Sequence, residues 1–285
     1  MNAQSPSFAV PRRRFLRSVK ELPMLCQGRP EALKAWLENP GGERLLACVA
    51  AIFGGCLMYG FTLGLWRAPE MGVYVALKLP MLILLTLLTN GLLNGMLALL
   101  LGSGLGFRQT MLAMLMSFAS FSLITGALSP VALMMVLDAP EPGTPGSDQA
   151  YRIILLVHTG IIAFAGIVAH RRFFPVLAAA SESRAAVPRV FLAWLSGNLF
   201  VGAQVSWYMR PFFGQPGKEV QFFRAGWNHG TFYESVYTNL KTLLSPLLSL
   251  RAPALSCIVV ALLLGVWIII RCALHTFRVP RPPDR

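Results

Sequence analysis

Charge is scarce in this chain. Of its 285 residues only 13 % are Asp, Glu, Lys or Arg, against 55 % hydrophobic residues. That balance excludes an ordinary soluble domain, because there is more apolar side chain than one core can bury and too little charge to keep it dissolved. The chain reads as an integral membrane protein. Other absences narrow its chemistry. There is no C-x-x-C, and Cys48, Cys56, Cys257 and Cys272 lie in or beside apolar runs, so the cysteines read as small core residues and not as a disulfide frame or metal site. The four histidines, at 158, 170, 229 and 275, share no ligand spacing with a carboxylate or cysteine, so no metal is expected. "GSGLG" from Gly102 follows an apolar run and does not complete G-x-G-x-x-G, which leaves phosphate cradling unsupported. No G-x-S-G is present, since "LSGN" at Leu195 to Asn198 lacks the first glycine, and this departs from rhomboid-type proteases. The apolar runs hold no paired aspartates for an intramembrane aspartyl site. No catalytic residue and no cofactor are therefore assigned.

What is present is apolar length. A hydrocarbon layer about 30 Å thick needs about 20 helical residues. By that ruler six runs qualify: 45 to 66, 73 to 101, 111 to 137, 152 to 170, 190 to 209 and 254 to 272. The second and third are overlong, so tilting, kinking or an interfacial turn is expected there, and Lys78 and Pro80 support this for the second. The first run begins at Leu45, after a charged, proline-containing stretch, and is expected to stay as an anchor. The fold expected is all-α and polytopic, with six transmembrane helices.

Basic residues flank these runs, which explains the net charge of +13 as topology and contact with anionic lipid. No compact module carries the charge, so no nucleic-acid partner is expected. Counting Lys and Arg over the loops gives a bias of about two to one that places both termini in the cytoplasm. Residues 1–44 form a basic cytoplasmic segment, 45–272 the membrane domain with an outer loop at 210–252, and 273–285 a basic cytoplasmic tail. In the first segment Phe15, Leu16, Val19 and Leu22 share a helical face, and "RPEALKAWLEN" starts a second helix at Pro30. Such pieces rest on the inner leaflet or meet a partner helix. The proline-rich "DAPEPGTPGSD" reads as a solvated connector.

The outer loop is too aromatic for a disordered linker. Within it "TFYE" forms a capping box of Thr231 and Glu234, and Phe232, Val236, Leu240, Leu243, Leu244 and Leu247 make one apolar stripe. These predict an amphipathic helix over about 232 to 245, ended near Pro246. At the loop's start, "WYMRPFFGQPG" places Arg210 before Pro211, which turns the chain out of helix. Two readings stand for Arg210: it marks the membrane boundary by snorkelling, or its fork grips a phosphate or carboxylate. Trp207, Arg210, Pro211, Phe212, Phe223, Arg224 and Trp227 are the candidate contacts to a partner or lipid headgroup.

Polar groups inside the runs form a second set: Lys78, Asn90, Asn94, His158, Asn198 and Gln204. Each needs a partner in hydrocarbon. Asn90 and Asn94 share a face beside the G-x-x-x-G of Gly91 and Gly95, and Gly60 and Gly64 repeat that spacing on the first helix. The asparagines either bond across a tight helix pair or belong, with His158, Asn198 and Gln204, to a polar path. No internal repeat of the transporter kind is visible.

The stretches "ALKLPMLILLTLLTN" and "FVGAQVSWYMRPFFGQPG", followed by "FFRAGWNHGTFYESV", resemble an uncharacterised family of bacterial six-helix inner-membrane proteins. The positions that carry the resemblance are Lys78, Pro80, Gly202, Ala203, Gln204, Trp207, Arg210, Pro211 and Phe212, then Pro216, Phe223 and Arg224. It spans roughly residues 76 to 240 and implies six helices in a bacterial inner membrane, without implying an activity. The functional expectations are three. The first is a non-catalytic component of a membrane assembly, docking on lipids and on other membrane or envelope proteins through the aromatic loop and the small-residue helix faces. The second is a lipid or small-solute carrier, and the third an intramembrane enzyme.

Overall fold

A computed structural model describes residues 12–100, 106–180, 186–226 and 229–248. Among these residues it is all helical. The helices are α1 (Arg12–Gln27), α2 (Pro30–Glu38), α3 (Gly42–Leu65), α4 (Pro69–Leu100), α5 (Phe107–Ala127), α6 (Ser129–Leu137), α7 (Ser147–Arg171), α8 (Phe174–Ala180), α9 (Ala186–Tyr208) and α10 (Phe232–Leu248). The chain divides into two compact units, Met1–Val236 and Tyr237–Arg285. Apart from the continuation of α10, which is the described part of the second, everything described below belongs to the first.

Among the described residues five helices, α3, α4, α5, α7 and α9, are long and apolar enough to cross a membrane. Their outward faces carry large apolar side chains such as Met58, Leu88, Leu92, Phe164 and Leu192. In water such a band would be a severe liability, and in hydrocarbon it is the expected surface. The first, second, fourth and fifth expected runs coincide with α3, α4, α7 and α9. The sixth, 254 to 272, lies outside the described residues.

The third run is not one helix. It breaks at Leu128 into α5 and α6, because Pro130 brings no N–H to continue the ladder. The Leu128 amide instead tightens the last turn by donating to both Ile124 O and Thr125 O. By contrast α4 runs on through Pro80, and α10 runs on through Pro246 to Leu248 instead of stopping there.

Glycine sets the closest helix contacts. Gly60 and Gly64 of α3 face the backbone of Val75–Ala76 and Met71–Gly72 on α4, where a Cβ would collide with main-chain atoms. Gly55 stands against Ser122 of α5 in the same way, and Gly126 against Gly55. The Gly91 and Gly95 pair acts differently: it accommodates the side chains of Met111 and Phe107 from α5, not a neighbouring backbone.

At the start of the chain, α1 buries Ser18, Leu22 and Leu25, and α2 buries Leu33, Trp36 and Leu37. The buried face of α1 is therefore rotated from the expected one, since Leu16 is exposed. These helices are tied to the bundle by Arg44, which donates to Ala35 O (3.0 Å) and Asn39 O (2.8 Å), and by Arg172, which donates to Gln27 O. At the other end of the bundle, the α6–α7 connector is not merely solvated. Trp66 Nε1 donates to Pro140 O at 3.0 Å, and its ring stacks on Tyr151.

Candidate functional site

The chain leaves α9 at Met209 and folds back over the bundle end where α4 begins. Its hydrogen bonds show what holds it there. Lys78 sits on α4 one turn beyond Tyr74 and is fully buried. Its Nζ donates to Pro211 O at 3.0 Å and lies over three phenyl rings, those of Phe222 (4.8 Å), Phe223 (5.3 Å) and Phe212 (5.8 Å). Phe222 also packs edge-on against Tyr74. A buried ammonium is costly unless its environment replaces water, and here a carbonyl dipole and three π faces do so. The Arg210–Pro211 peptide bond is cis.

Arg210 uses its fork inside the loop. Its guanidinium lies 4.0 Å over the Trp207 ring, Nη1 donates to Trp207 O at 2.9 Å, and Nη2 donates to Gly226 O at 2.8 Å and His229 O at 3.1 Å. The Arg224 amide returns a bond to Arg210 O, and Trp207 Nε1 donates to His229 O. Arg67, at the end of α3, donates to Lys218 O at 3.0 Å. Three cations thus satisfy loop carbonyls that would otherwise sit half-dry at the end of the bundle. Trp207, Arg210, Pro211, Phe212, Phe223 and Arg224 are brought together with Lys78 in one cap. Trp227 lies outside the described residues.

The cap leads directly into α10. The Thr231 and Glu234 box is reciprocal, with Thr231 N donating to Glu234 Oε2 (2.9 Å) and Glu234 N to Thr231 Oγ1 (3.2 Å). Gln204 of α9 takes the next orphan amide, accepting from Phe232 N at 3.3 Å. Gln204 is therefore a helix cap contributed from a neighbouring helix.

Deeper in the bundle, a chain of hydrogen bonds joins α4, α9 and α7. Asn90 Nδ2 donates to Asn198 Oδ1 at 2.8 Å and to Gly197 O at 3.0 Å. Asn198 Nδ2 pairs with His170 Nε2 at 2.7 Å, and His170 Nδ1 with Gly166 O at 2.8 Å. A carbonyl only accepts, so the His170 proton is on Nδ1 and Nε2 accepts from Asn198. Every step then runs one way, from Asn90 through Asn198 and His170 to Gly166. Asn94 has the weaker place, donating to Met114 Sδ at 3.8 Å. His158 stands apart, sharing a 2.9 Å hydrogen bond with the Tyr59 hydroxyl. The polar residues of the apolar runs thus form separate groups: the cap around Lys78, the α10 start at Gln204, the asparagine chain, and the Tyr59–His158 pair.

Between the cap and the asparagine chain lies a cavity of about 300 Å³. Leu79, Leu82 and Ile83 of α4 form one wall, with Leu199 and Gly202 of α9 opposite. Phe212 and Phe213 of the cap border it, as do Asn198 and His170 of the polar chain. Gly166 and Gly202 also line it, and a Cβ at either would make only ordinary contact at 3.6–3.9 Å. These two glycines leave room, whereas those of α3 close a seam.

No protein-family model, curated protein or solved structure matches this chain.

The cavity and two of its residues, Thr86 and His170, escape a reading of the sequence. A threonine in an apolar run looks like any other, and His170 carries no spacing signal. The one available hint is that Gly166 precedes His170 by a turn and leaves its carbonyl open to the ring.

Proposed function

We propose that this protein is a non-catalytic, membrane-embedded binder or carrier of a lipid-like molecule, held in the cavity between α4, α7 and α9. The observation that carries this is the cavity itself, about 300 Å³ of chiefly apolar space between α4, α7 and α9, partly open at the surface where much of α9 is exposed. Interiors normally leave few voids larger than a water molecule, and small-molecule sites begin at about 300 Å³. A folded cap bordering one end and a satisfied polar chain bordering the other leave the middle to an apolar guest. The polar groups are structural supports of the chamber and not a continuous path through it.

The orientation we infer puts the cap outside a bacterial inner membrane and the α1–α2 end in the cytoplasm. The Lys and Arg count over the loops, about two to one toward that second end, supports a positive-inside arrangement.

The test is thermal unfolding of the full chain in mild detergent with and without decane or 2-decanone. A ligand that binds the native state raises the unfolding midpoint. The midpoint is expected to rise for the wild type and not for Gly202→Leu, whose side chain fills the chamber. Equal shifts in both proteins refute the site, because partition into detergent would then explain them.

A second reading, a component of a membrane assembly docking through the cap, is favoured by Phe223 and Tyr208. Both are about half exposed, Tyr208 at the end of α9 and Phe223 on the loop fixed by the bonds above, and rigid aromatics are effective anchors for a partner. Loss of a co-purifying membrane protein on Phe223→Ala supports that reading, and an unchanged set of companions counts against it.

A further inference from the structure

The lining also has a chemistry, and the following inference rests on the cavity being a ligand site. We propose that its ligand is a neutral hydrophobe carrying a single carbonyl acceptor, such as a long-chain ketone, and that Thr86 is the residue that reads it.

Among the described residues, the polar side chains around the cavity are engaged except Thr86 and Tyr233, and Tyr233 is about half exposed. Thr159 Oγ1 donates to Leu155 O at 2.7 Å and Ser206 Oγ to Ala203 O at 2.7 Å. Asn198 and His170 are committed to each other and to Asn90 and Gly166. Thr86 is different. It is 1 % exposed and lines the cavity, and its Oγ1 is covered and has no hydrogen-bond partner, so an acceptor in the cavity meets it after a turn about χ1. A helical threonine ordinarily donates to the carbonyl a turn earlier, as Thr159 does here. A buried hydroxyl left unpaired in an apolar setting is costly, and a ligand acceptor removes that cost.

Charge decides the rest. Among the described residues no Asp, Glu, Lys or Arg lines the cavity, and the nearby cations are spent, Lys78 on Pro211 O and the phenyl rings, Arg210 on carbonyls of its own loop. An anionic headgroup drawn into this space would lose its hydration without gaining a counter-charge. A fatty-acid carboxylate or phosphate is therefore disfavoured, and one neutral acceptor fits. Thr86 lies two helical turns below Lys78, about 12 Å along the axis at 1.5 Å per residue. A chain anchored there extends along Leu79 and Leu82 toward Phe213.

The experiment compares three ten-carbon probes, decane, 2-decanone and decanoate, on the full chain in detergent, read as the ligand-induced rise in unfolding midpoint. The ketone is expected to bind the wild type about three- to tenfold more tightly than the alkane, the value of one neutral hydrogen bond, with decanoate no better than decane. Thr86→Val is expected to bind decane as before and to lose the ketone preference, while Thr86→Ser keeps it. Without ligand, the Thr86→Val protein should unfold at the same or a higher temperature, since it loses only an unpaired hydroxyl. Ketone and alkane binding equally to the wild type, or decanoate binding best, overturns this inference and leaves the cavity reading standing. Failure of all three probes on the wild type overturns both.

Discussion

Replacing Arg210 by alanine removes three donor bonds and a stacked cation from the cap. At about 1 kcal/mol for each hydrogen bond and about 0.5–1 kcal/mol for the cation–π contact at a partly exposed site, the loss is about 3–4 kcal/mol. The carbonyls of Trp207, Gly226 and His229 regain water when the loop lifts, so the loss falls on local closure of the cap and not on the helices. At 1.4 kcal/mol per tenfold, local opening becomes roughly two to three powers of ten more frequent. Hydrogen exchange of the Arg224 amide, which donates to Arg210 O, reads this directly. Its rate is expected to rise by about that factor in Arg210→Ala, with amides of α3 and α4 unchanged. Arg210→Lys keeps the charge but not the planar fork, so most of the effect is expected to persist. Unchanged exchange at Arg224, or an equal acceleration throughout the bundle, would refute the idea that Arg210 is a local clamp.

The remaining predictions concern the helices and the membrane. Gly60→Leu is expected to abolish folding or cost more than the about 1–3 kcal/mol of ordinary overpacking, since Val75 backbone cannot yield, while Gly202→Leu stays folded; detergent size-exclusion profiles separate the two. Asn90→Leu is expected to destabilise the protein by about 0.6–2 kcal/mol, leaving Asn198 Oδ1 and Gly197 O without their donor. Asn94→Leu should cost less, because the sulfur contact it loses is long; thermal unfolding ranks them, and the reverse order would contradict the hydrogen-bond chain. In a Cys26→Ser background, a cysteine at Lys218 is expected to react with an impermeant maleimide on intact cells, and one at Lys34 only after permeabilisation. The opposite pattern inverts the orientation.

Features encoded within a few residues are legible in the sequence. The Thr231–Glu234 box, the exit of α9 at Pro211 and the start of α2 at Pro30 follow from i to i+3 hydrogen bonding and proline stereochemistry. Apolar length likewise located α3, α4, α7 and α9. What stayed hidden depends on pairs remote in the chain. Nothing near Lys78 announces that its acceptor is Pro211, nor near Asn90 that its partner is Asn198. Arg210 was recognisable as a planar fork, yet whether that fork faces a ligand or its own loop depends on where Gly226 and His229 fold. Pro130 in the third run and Pro80 in the second lack the same N–H, and the sequence does not show that the first ends a helix while the second is tolerated inside one. The cavity is hidden for the same reason: Gly202 and Gly64 look alike in sequence, and only the distance to the opposite helix separates a gap from a seam.

The most direct measurement is the unfolding midpoint of wild type and Gly202→Leu with 2-decanone. A rise for the wild type, absent or much reduced in the leucine variant at equal ligand concentration, is the predicted result. The same rise in both proteins would contradict the claim that this chain holds its ligand between α4, α7 and α9.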